Sequence, residues 1–358
     1  MALIDNKDMK LTDKKILITG ASGSLGKQLI YELVRRGVRP IAHVRKSSDT
    51  TYIDSLDLEK RFADLRHRDE IERLVAGVDA VIHTAAWVNF RQDRLSQFTG
   101  INTLGALGLF QAAQRTKVKR FVHVSTVAAV AALPRSWNGT NPPPGVPALV
   151  NEQTPFNLSH LRIPYIMSKR AAEDELLKSA RSGLTELVIV NPSIVVAPSR
   201  TGDDRSKAMK KMGRYLMPSL PNRVNLVDIR DVAVGIIAAL RKGRPGERYI
   251  LAGDNISLCD LTLAVSSILD MVPHLVRVPR PVLNLAAKFS VLFAKLSGKG
   301  KISFYPDLVK MLDYDWAYSS LKARRELGYT NRSIHITLNN LLNNNMVGTY
   351  AKPSNNIS

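Results

Sequence analysis

Along the first two-thirds of the chain, short and almost wholly apolar runs alternate with longer stretches of helical periodicity. The runs are Lys15–Thr19, Pro40–Arg45, Ala80–Thr84, Arg120–Thr126 and Glu186–Asn191. Their near-continuous apolar character is that of parallel strands covered on both faces. Helical patterns fill the intervals at Ser24–Arg36, Asp69–Ala76, Arg94–Arg115 and Tyr165–Arg181. Strand and helix in strict alternation predict an α/β protein, a doubly wound parallel sheet with crossover helices.

The pattern then changes. Leu133 to Pro155 is rich in proline and glycine and reads as an irregular loop, because strand and helix signals resume beyond it. After Pro192 the elements become shorter and more basic, while a helix over Val227–Arg241 and a strand over Tyr249–Ala252 predict a return to the main sheet. The expected organisation is a first domain over 1–192 and a smaller C-terminal part over 193–347. Residues 227–252 of that part return to the first domain, and 348–358 form a frayed tail.

Composition narrows the class. With 358 residues, 45% hydrophobic and 23% charged, the chain can bury a full core. Cys259 is the single cysteine, so no intrachain disulfide and no multi-thiolate site can form, and the seven histidines lack ligand spacing. No metal is expected. Met1 to Lys15 lacks the apolar run of a signal peptide, and no stretch reaches the roughly 20 apolar residues of a membrane span. A cytoplasmic protein is expected. The 51 basic against 31 acidic residues give a formal charge of +20, which favours anionic partners. No zinc finger or other nucleic-acid module accompanies that charge, so nucleic acid is not an expected partner.

One such anion is indicated by Thr19-Gly20-Ala21-Ser22-Gly23-Ser24-Leu25-Gly26, which follows the first strand directly and opens the first helix. Glycines there allow a tight turn, close backbone approach to a pyrophosphate and close packing of helix on strand. The helix N-terminus adds unpaired N–H groups and a favourable dipole. Gly20, Ser22, Gly23, Ser24, Leu25 and Gly26 are therefore expected to cradle a dinucleotide. About 20 residues beyond such a turn, an NAD site places a carboxylate for the ribose 2′-hydroxyl. This chain reads His43-Val44-Arg45-Lys46-Ser47, with no acid before Asp49. Arg45 and Lys46 suit a 2′-phosphate, so NADP(H) is favoured over NAD(H).

Tyr165 and Lys169 stand at i and i+4 of one predicted helix, on the same face. A free tyrosine has a pKa of about 10, and a neighbouring ammonium lowers it by stabilising the phenolate. Tyr165 could then exchange a proton with a substrate oxygen while a nicotinamide exchanges hydride. The end of the strand preceding that helix supplies two adjacent hydroxyls, Ser125 and Thr126, of which alternation lets only one face the site. Either could equally bond local backbone.

In these residues the sequence resembles the extended short-chain dehydrogenase/reductase family. The resemblance rests on Thr19–Gly26, Asp64-Leu65, His83-Thr84-Ala85-Ala86, Asn102 and Ser125-Thr126. It continues through Tyr165 and Lys169, Asn191-Pro192-Ser193, the run Val227–Ala233, and Lys322–Tyr329. The pattern is most similar to the dihydroflavonol-reductase-like and hydroxysteroid-dehydrogenase-like branches. It implies a Rossmann fold with a variable C-terminal substrate-binding part. It also implies Asp64 and Leu65 near an adenine, and a cofactor path over Thr84, Ala85, Ala86 and Asn102. Lys169 would stand beside the cofactor, with Asn191, Pro192 and Ser193 at its nicotinamide end. Within this resemblance the hydroxyl before the Val/Ala run is Thr126 where the family pattern has serine, so Thr126 is preferred and Ser125 is the alternative. Homodimers through helices of the cofactor domain are common in the family and are expected on that ground alone.

The substrate is read less directly. Residues 274–301 hold basic residues and no acidic one, and Val282–Leu296 has the pattern of a basic amphipathic helix. Such a helix suits either a membrane interface or packing on the cofactor domain. With the branch resemblance, it points to interconversion of a ketone and a secondary alcohol on an apolar small molecule of steroid, terpenoid, polyketide or phenolic type. An NAD-dependent nucleotide-sugar epimerase or dehydratase is the rival, and would hold its cofactor oxidised and bound. A non-catalytic NADP(H)-sensing regulator is a second, although a sensor needs only the glycine turn and not Tyr165 with Lys169.

Overall fold

The computed structural model describes residues 9–88, 95–135, 149–181, 183, 185–197, 216–218, 220, 222–276, parts of 278–289, and 306–343. In chain order the strands that build its sheets are β1 (Ile16–Thr19), β2 (Ile41–Val44), β3 (Lys60–Phe62), β4 (Ala80–His83), β5 (Arg120–Val124) and β6 (Glu186–Pro192). They are followed by β7 (Ile194–Val196), β8 (Arg223–Asp228), β9 (Arg248–Leu251) and β10 (Asp254–Ser257). The helices that matter below are α1 (Ser24–Val34), α2 (Arg68–Val75), α3 (Ala106–Arg115), α4 (Pro164–Ala180), α5 (Ile229–Lys242), α6 (Leu258–Ile268), α7 (Leu321–Leu327) and α8 (Ile334–Leu342).

A seven-stranded sheet runs in the order β9-β6-β5-β4-β1-β2-β3, and every pairing is parallel. Side chains alternate between its two faces. On β1, Ile16 and Ile18 join the core under α1 and α5, whereas Leu17 joins the core under α2, α3 and α4. The strand order reverses between β1 and β4, which opens a crevice beyond their C-terminal ends. This is the doubly wound Rossmann arrangement.

Differences from the sequence reading are local. β3 was not anticipated, since Lys60-Arg61-Phe62 carries no apolar run; as an edge strand it has one face to solvent, with Lys60 and Phe62 exposed. The helix expected over Arg94–Arg115 is interrupted: Phe98–Gly105 forms a π-helical turn before α3, and Arg94 lies outside the described residues. Within the expected loop, Leu133–Pro134 pairs with Tyr314–Asp315, and 136–148 lie outside the described residues. So do the tail 348–358 and most of Val282–Leu296.

β9 is the edge of the main sheet and α5 packs on its α1 face. A smaller sheet, β10-β8-β7, sits beside it under α6 and α8. Asp228, at the junction of β8 and α5, ties the two together. It is 1% exposed; its carboxylate accepts from the Arg230 backbone N–H at 2.8 Å, caps α5, and pairs with the Arg230 guanidinium at 2.7 Å. It also accepts from Thr337 of α8 at 3.0 Å. Burial would raise this carboxyl, but the Arg230 bonds and charge outweigh it and hold it below the usual range. Asp228→Asn should cost about 3 kcal/mol at neutral pH, because Arg230 loses its buried partner. With the carboxyl depressed, that stability is complete above its unfolded value of about 3.9 and lost as pH falls through the folded one. Urea unfolding from pH 7 to pH 3 should therefore show the gap between wild type and variant closing on the acid side. A gap constant with pH would exclude the charge as its cause.

Candidate functional site

The turn between β1 and α1 is held by its neighbours. The Ala21 N–H donates to the His43 carbonyl at 3.1 Å, the Ala85 N–H to Thr19 Oγ1 at 3.2 Å, and Thr84 Oγ1 to the Thr19 carbonyl at 2.6 Å. Gly20 has φ of +68°, and a Cβ there would sit 2.9 Å from the Ala85 Cα. At Gly26 a Cβ would meet the Gly20 carbonyl at 2.3 Å. Side chains at either position would push α1 off the turn. The cap residue Gly23 contributes no side-chain bond to the first turn of α1, which includes Ser24, Leu25 and Gly26, and no acid stands in that turn. An anion would meet N–H groups and no competing carboxylate.

From this turn a cleft of about 240 Å³ runs across the ends of β1, β2 and β4. Gly20, Ser22 and Gly23 line one side, Thr84, Ala85, Ala86 and Trp87 the other, and Asp64, Leu65, Arg45, Ser48 and Arg66 the far end. Arg45 is exposed on the rim, its backbone N–H bonded to Ser48 Oγ at 3.1 Å. Lys46 is exposed but is not among the lining residues. Sequence reading missed Ser48 and Arg66. Arg66 grips Asp64 through Nε at 2.9 Å and Nη2 at 2.5 Å, and these bonds bring the Asp64 carboxyl down to about 2 despite partial burial. The one acid of this end thus arrives already paired.

Asn102 is 1% exposed on the π-helical turn. Its Oδ1 accepts from the Trp87 N–H at 2.6 Å, and its Nδ2 donates to the Trp87 carbonyl and to Ser168 Oγ, both at 3.0 Å. It reaches the cleft through Trp87, whose loop it fastens to α4, rather than with its own side chain.

The remaining expected residues gather at the C-terminal ends of β5 and β6. Tyr165 opens α4 and is half-buried. Lys169, one turn on, is 1% exposed; its Nζ donates to the Val124 carbonyl at 2.7 Å. Burial lowers its pKa to about 8, while the charge of Glu173 opposes the fall. Glu173 is fully buried, accepts from Asn191 Nδ2 at 2.6 Å and lies 3.1 Å from Arg248 Nη2. Asn191 Nδ2 also donates to the Thr126 carbonyl at 2.9 Å, and Pro192 pairs with Leu251 of β9. Thr126 is half-buried, its Oγ1 accepting the Ala128 N–H at 3.3 Å, which leaves its proton to donate. Ser125 Oγ, Asn191 Oδ1 and Ser193 Oγ are buried without a hydrogen-bond partner among the described residues. Buried polar atoms are normally paired, so this cluster suits a ligand. Glycine cradle, cleft and orphaned groups together fit an extended dinucleotide. Among the described residues no group of His, Cys, Asp and Glu could hold a metal ion.

A family model described as "NAD dependent epimerase/dehydratase family" matches residues 16–252. Sterol demethylase protein B of Methylococcus capsulatus is 29% identical over 326 residues, covering 87% of this chain and 92% of that protein. A Synechocystis protein provisionally named dihydroflavonol 4-reductase is 30% identical, covering 88% and 90%. The crystal structure of gox2253 superposes with a TM-score of 0.76 at 29% identity, covering 92% of this chain and 97% of that one.

Gly26→Ala tests the cradle. The added methyl must displace the Gly20 carbonyl, at a stability cost of about 1–3 kcal/mol. Fluorescence titration with NADPH and NADH should show affinity for both falling at least about tenfold, the equivalent of 1.4 kcal/mol. Unchanged affinity in a folded variant would remove the turn from the binding site.

Proposed function

The chain belongs to the NAD dependent epimerase/dehydratase family and is an NAD(P)-dependent enzyme of the extended short-chain dehydrogenase/reductase type; from that premise we propose that it is an NADP(H)-dependent reductase of an apolar ketone. The observation that carries the reading is the buried Lys169 ammonium one turn from Tyr165, held on the Val124 carbonyl next to Ser125, whose hydroxyl has no partner among the described residues. Tyr165 gives its proton to the substrate oxygen as that oxygen gains negative charge. Lys169 holds a positive charge near the phenol and makes the phenolate left behind less costly. Thr126, with Ser125 as alternative, donates a hydrogen bond to the same oxygen. The bound nicotinamide supplies the hydride.

Gly20, Ser22, Gly23, Ser24, Leu25 and Gly26 would hold the pyrophosphate, Thr84, Ala85 and Ala86 the opposite wall, and Asn191, Pro192 and Ser193 the nicotinamide end. Preference for the 2′-phosphate is supported by Arg45 on the cleft rim and by the neutralisation of Asp64 by Arg66. Residues 193–347 would supply the substrate-binding part. An apolar substrate is supported by the names of the two relatives, one a sterol demethylase protein and the other a dihydroflavonol reductase.

The test is NADPH and NADH oxidation with hydrophobic ketones and with nucleotide-sugars. NADPH should be preferred, and Arg45→Ala should reduce that preference about tenfold by losing a phosphate contact. Tyr165→Phe should lower kcat at least about 100-fold. Turnover should fall as pH rises past about 8, where Lys169 gives up its proton. Sugar interconversion without net oxidation, or full activity of Tyr165→Phe, would overturn the proposal.

Membrane contact through 274–301 belongs to the same proposal. Val282, Leu285 and Phe289 are 52%, 55% and 58% exposed, in a stretch with no acidic residue. No helix among the described residues is long and apolar enough to cross a membrane. Co-sedimentation with vesicles containing phosphatidylglycerol should fall in Leu285→Glu/Phe289→Glu; equal sedimentation of the variant would exclude this surface.

A further inference from the structure

Two buried imidazoles take no part in the mechanism above. His83 ends β4, His123 lies opposite it on β5, and they are 1% and 0% exposed. Their rings stack with centroids 5.3 Å apart. His83 Nδ1 lies 2.7 Å from Thr19 Oγ1, which already accepts the Ala85 N–H. At the other end of the stack, His123 Nε2 lies 3.4 Å from Lys169 Nζ. An ammonium can only donate, so this nitrogen accepts and the His123 proton sits on Nδ1.

We propose that His123, backed by His83, is a positioning residue for Lys169, its neutral Nε2 joining the Val124 carbonyl in holding the ammonium protonated and in place. The proposal rests on the catalytic reading of Tyr165 and Lys169. The groups facing Lys169 leave this role open. From its own helix come Tyr165 one turn before and Glu173 one turn after, but the Glu173 carboxylate is shared with Arg248 of β9 and Asn191 of β6. From β5 come the Val124 carbonyl and His123, and from β4 comes His83. Burial works against the lysine charge, so each acceptor counts. A protonated His123 would repel the ammonium instead. Burial first, and then the charge of Lys169, push His123 well below its usual range and His83 down to about 3, which keeps both rings neutral. The stack thus offers a lone pair to Lys169 without adding a competing charge.

The test reads Lys169 directly. Lysine labelled with ¹³C at Cε gives a resonance for each side chain, and the one lost in Lys169→Met belongs to Lys169. In the wild type it should titrate near pH 8. His123→Phe removes the acceptor and should lower the midpoint by about one unit or more. His123→Gln, whose side-chain carbonyl can accept from an ammonium, should restore it, and the alkaline limb of NADPH-dependent ketone reduction should move with it. If the phenylalanine variant does not fold, His123→Met carries the same expectation. An unchanged Lys169 midpoint in the non-accepting variant, or a glutamine variant no better than phenylalanine, overturns the proposal. A shifted midpoint with an unmoved turnover limb instead overturns the catalytic reading of the pair, which separates the two failures.

Discussion

A lysine ammonium withdrawn from water must find its compensation inside the protein, and the centre of this structure is arranged around that demand. Lys169 sits on the Val124 carbonyl at the end of β5. Glu173, one turn further along α4, reaches Asn191 on β6 and Arg248 on β9. Asn191 in turn holds the backbone of Thr126. One helix is therefore fixed to three neighbouring strands by a chain of polar and charged contacts. Apolar burial of Ile166, Ala172 and Leu176 brings α4 to the sheet, but such packing tolerates sliding. The buried charges do not, because removing one partner strands another. This sets the register in which Tyr165 arrives over the ends of the strands.

The far side of α4 is restrained by a different device. The π-helical turn before α3 delivers two consecutive residues to the same place: Asn102 Nδ2 bonds Ser168 Oγ, and Thr103 Oγ1 bonds the Ser168 carbonyl. Since Asn102 also bonds both backbone groups of Trp87, the loop after β4 and the helix bearing Tyr165 share one anchor. Single π-helical turns cluster at functional sites, and here the extra residue has a concrete consequence. The wall of the candidate cleft and the helix bearing Tyr165 and Lys169 cannot shift independently.

What could be read from the sequence follows from where burial is two-sided. β1, β4, β5 and β6 are covered on both faces, so few polar residues break their near-continuous apolar signal. The glycine turn was legible for a steric reason, since backbone contacts at Gly20 and Gly26 leave no room for a Cβ. β3 left no such trace because it is an edge with one open face. β8 and β10 carry Asn225, Asp228, Asp254 and Asn255, whose side chains bond partners distant in sequence, so no apolar run marks either strand, and the helix expected from Val227 starts only at Ile229. The candidate site was legible where its residues stand at fixed spacing, as Tyr165 and Lys169 do. Its supports were not. Arg66 on Asp64, Glu173 with Arg248, and the stacked histidines are pairings made by the fold, and a histidine within an apolar strand looks like any core residue.

The two ends of the site differ in the charge they present. At the end proposed for the adenosine Arg45 and Arg66 stand on the rim and the carboxylate of Asp64 is already neutralised, which favours a phosphate-bearing group. At the other end Glu173 is committed to Asn191 and Arg248, and the unpartnered atoms of Ser125, Asn191 and Ser193 are neutral. Among the described residues Lys169 is the one charge there that faces no dedicated carboxylate. A positive centre among neutral hydroxyl and amide groups favours a reacting oxygen that gains negative charge during the reaction over one already charged, because a fixed anion would bind the ammonium before any chemistry and stabilise the ground state as much as the transition state. On the proposed reading, the arrangement would separate recognition, by permanent charge on the cofactor, from catalysis, by charge that appears on the substrate only as it reacts.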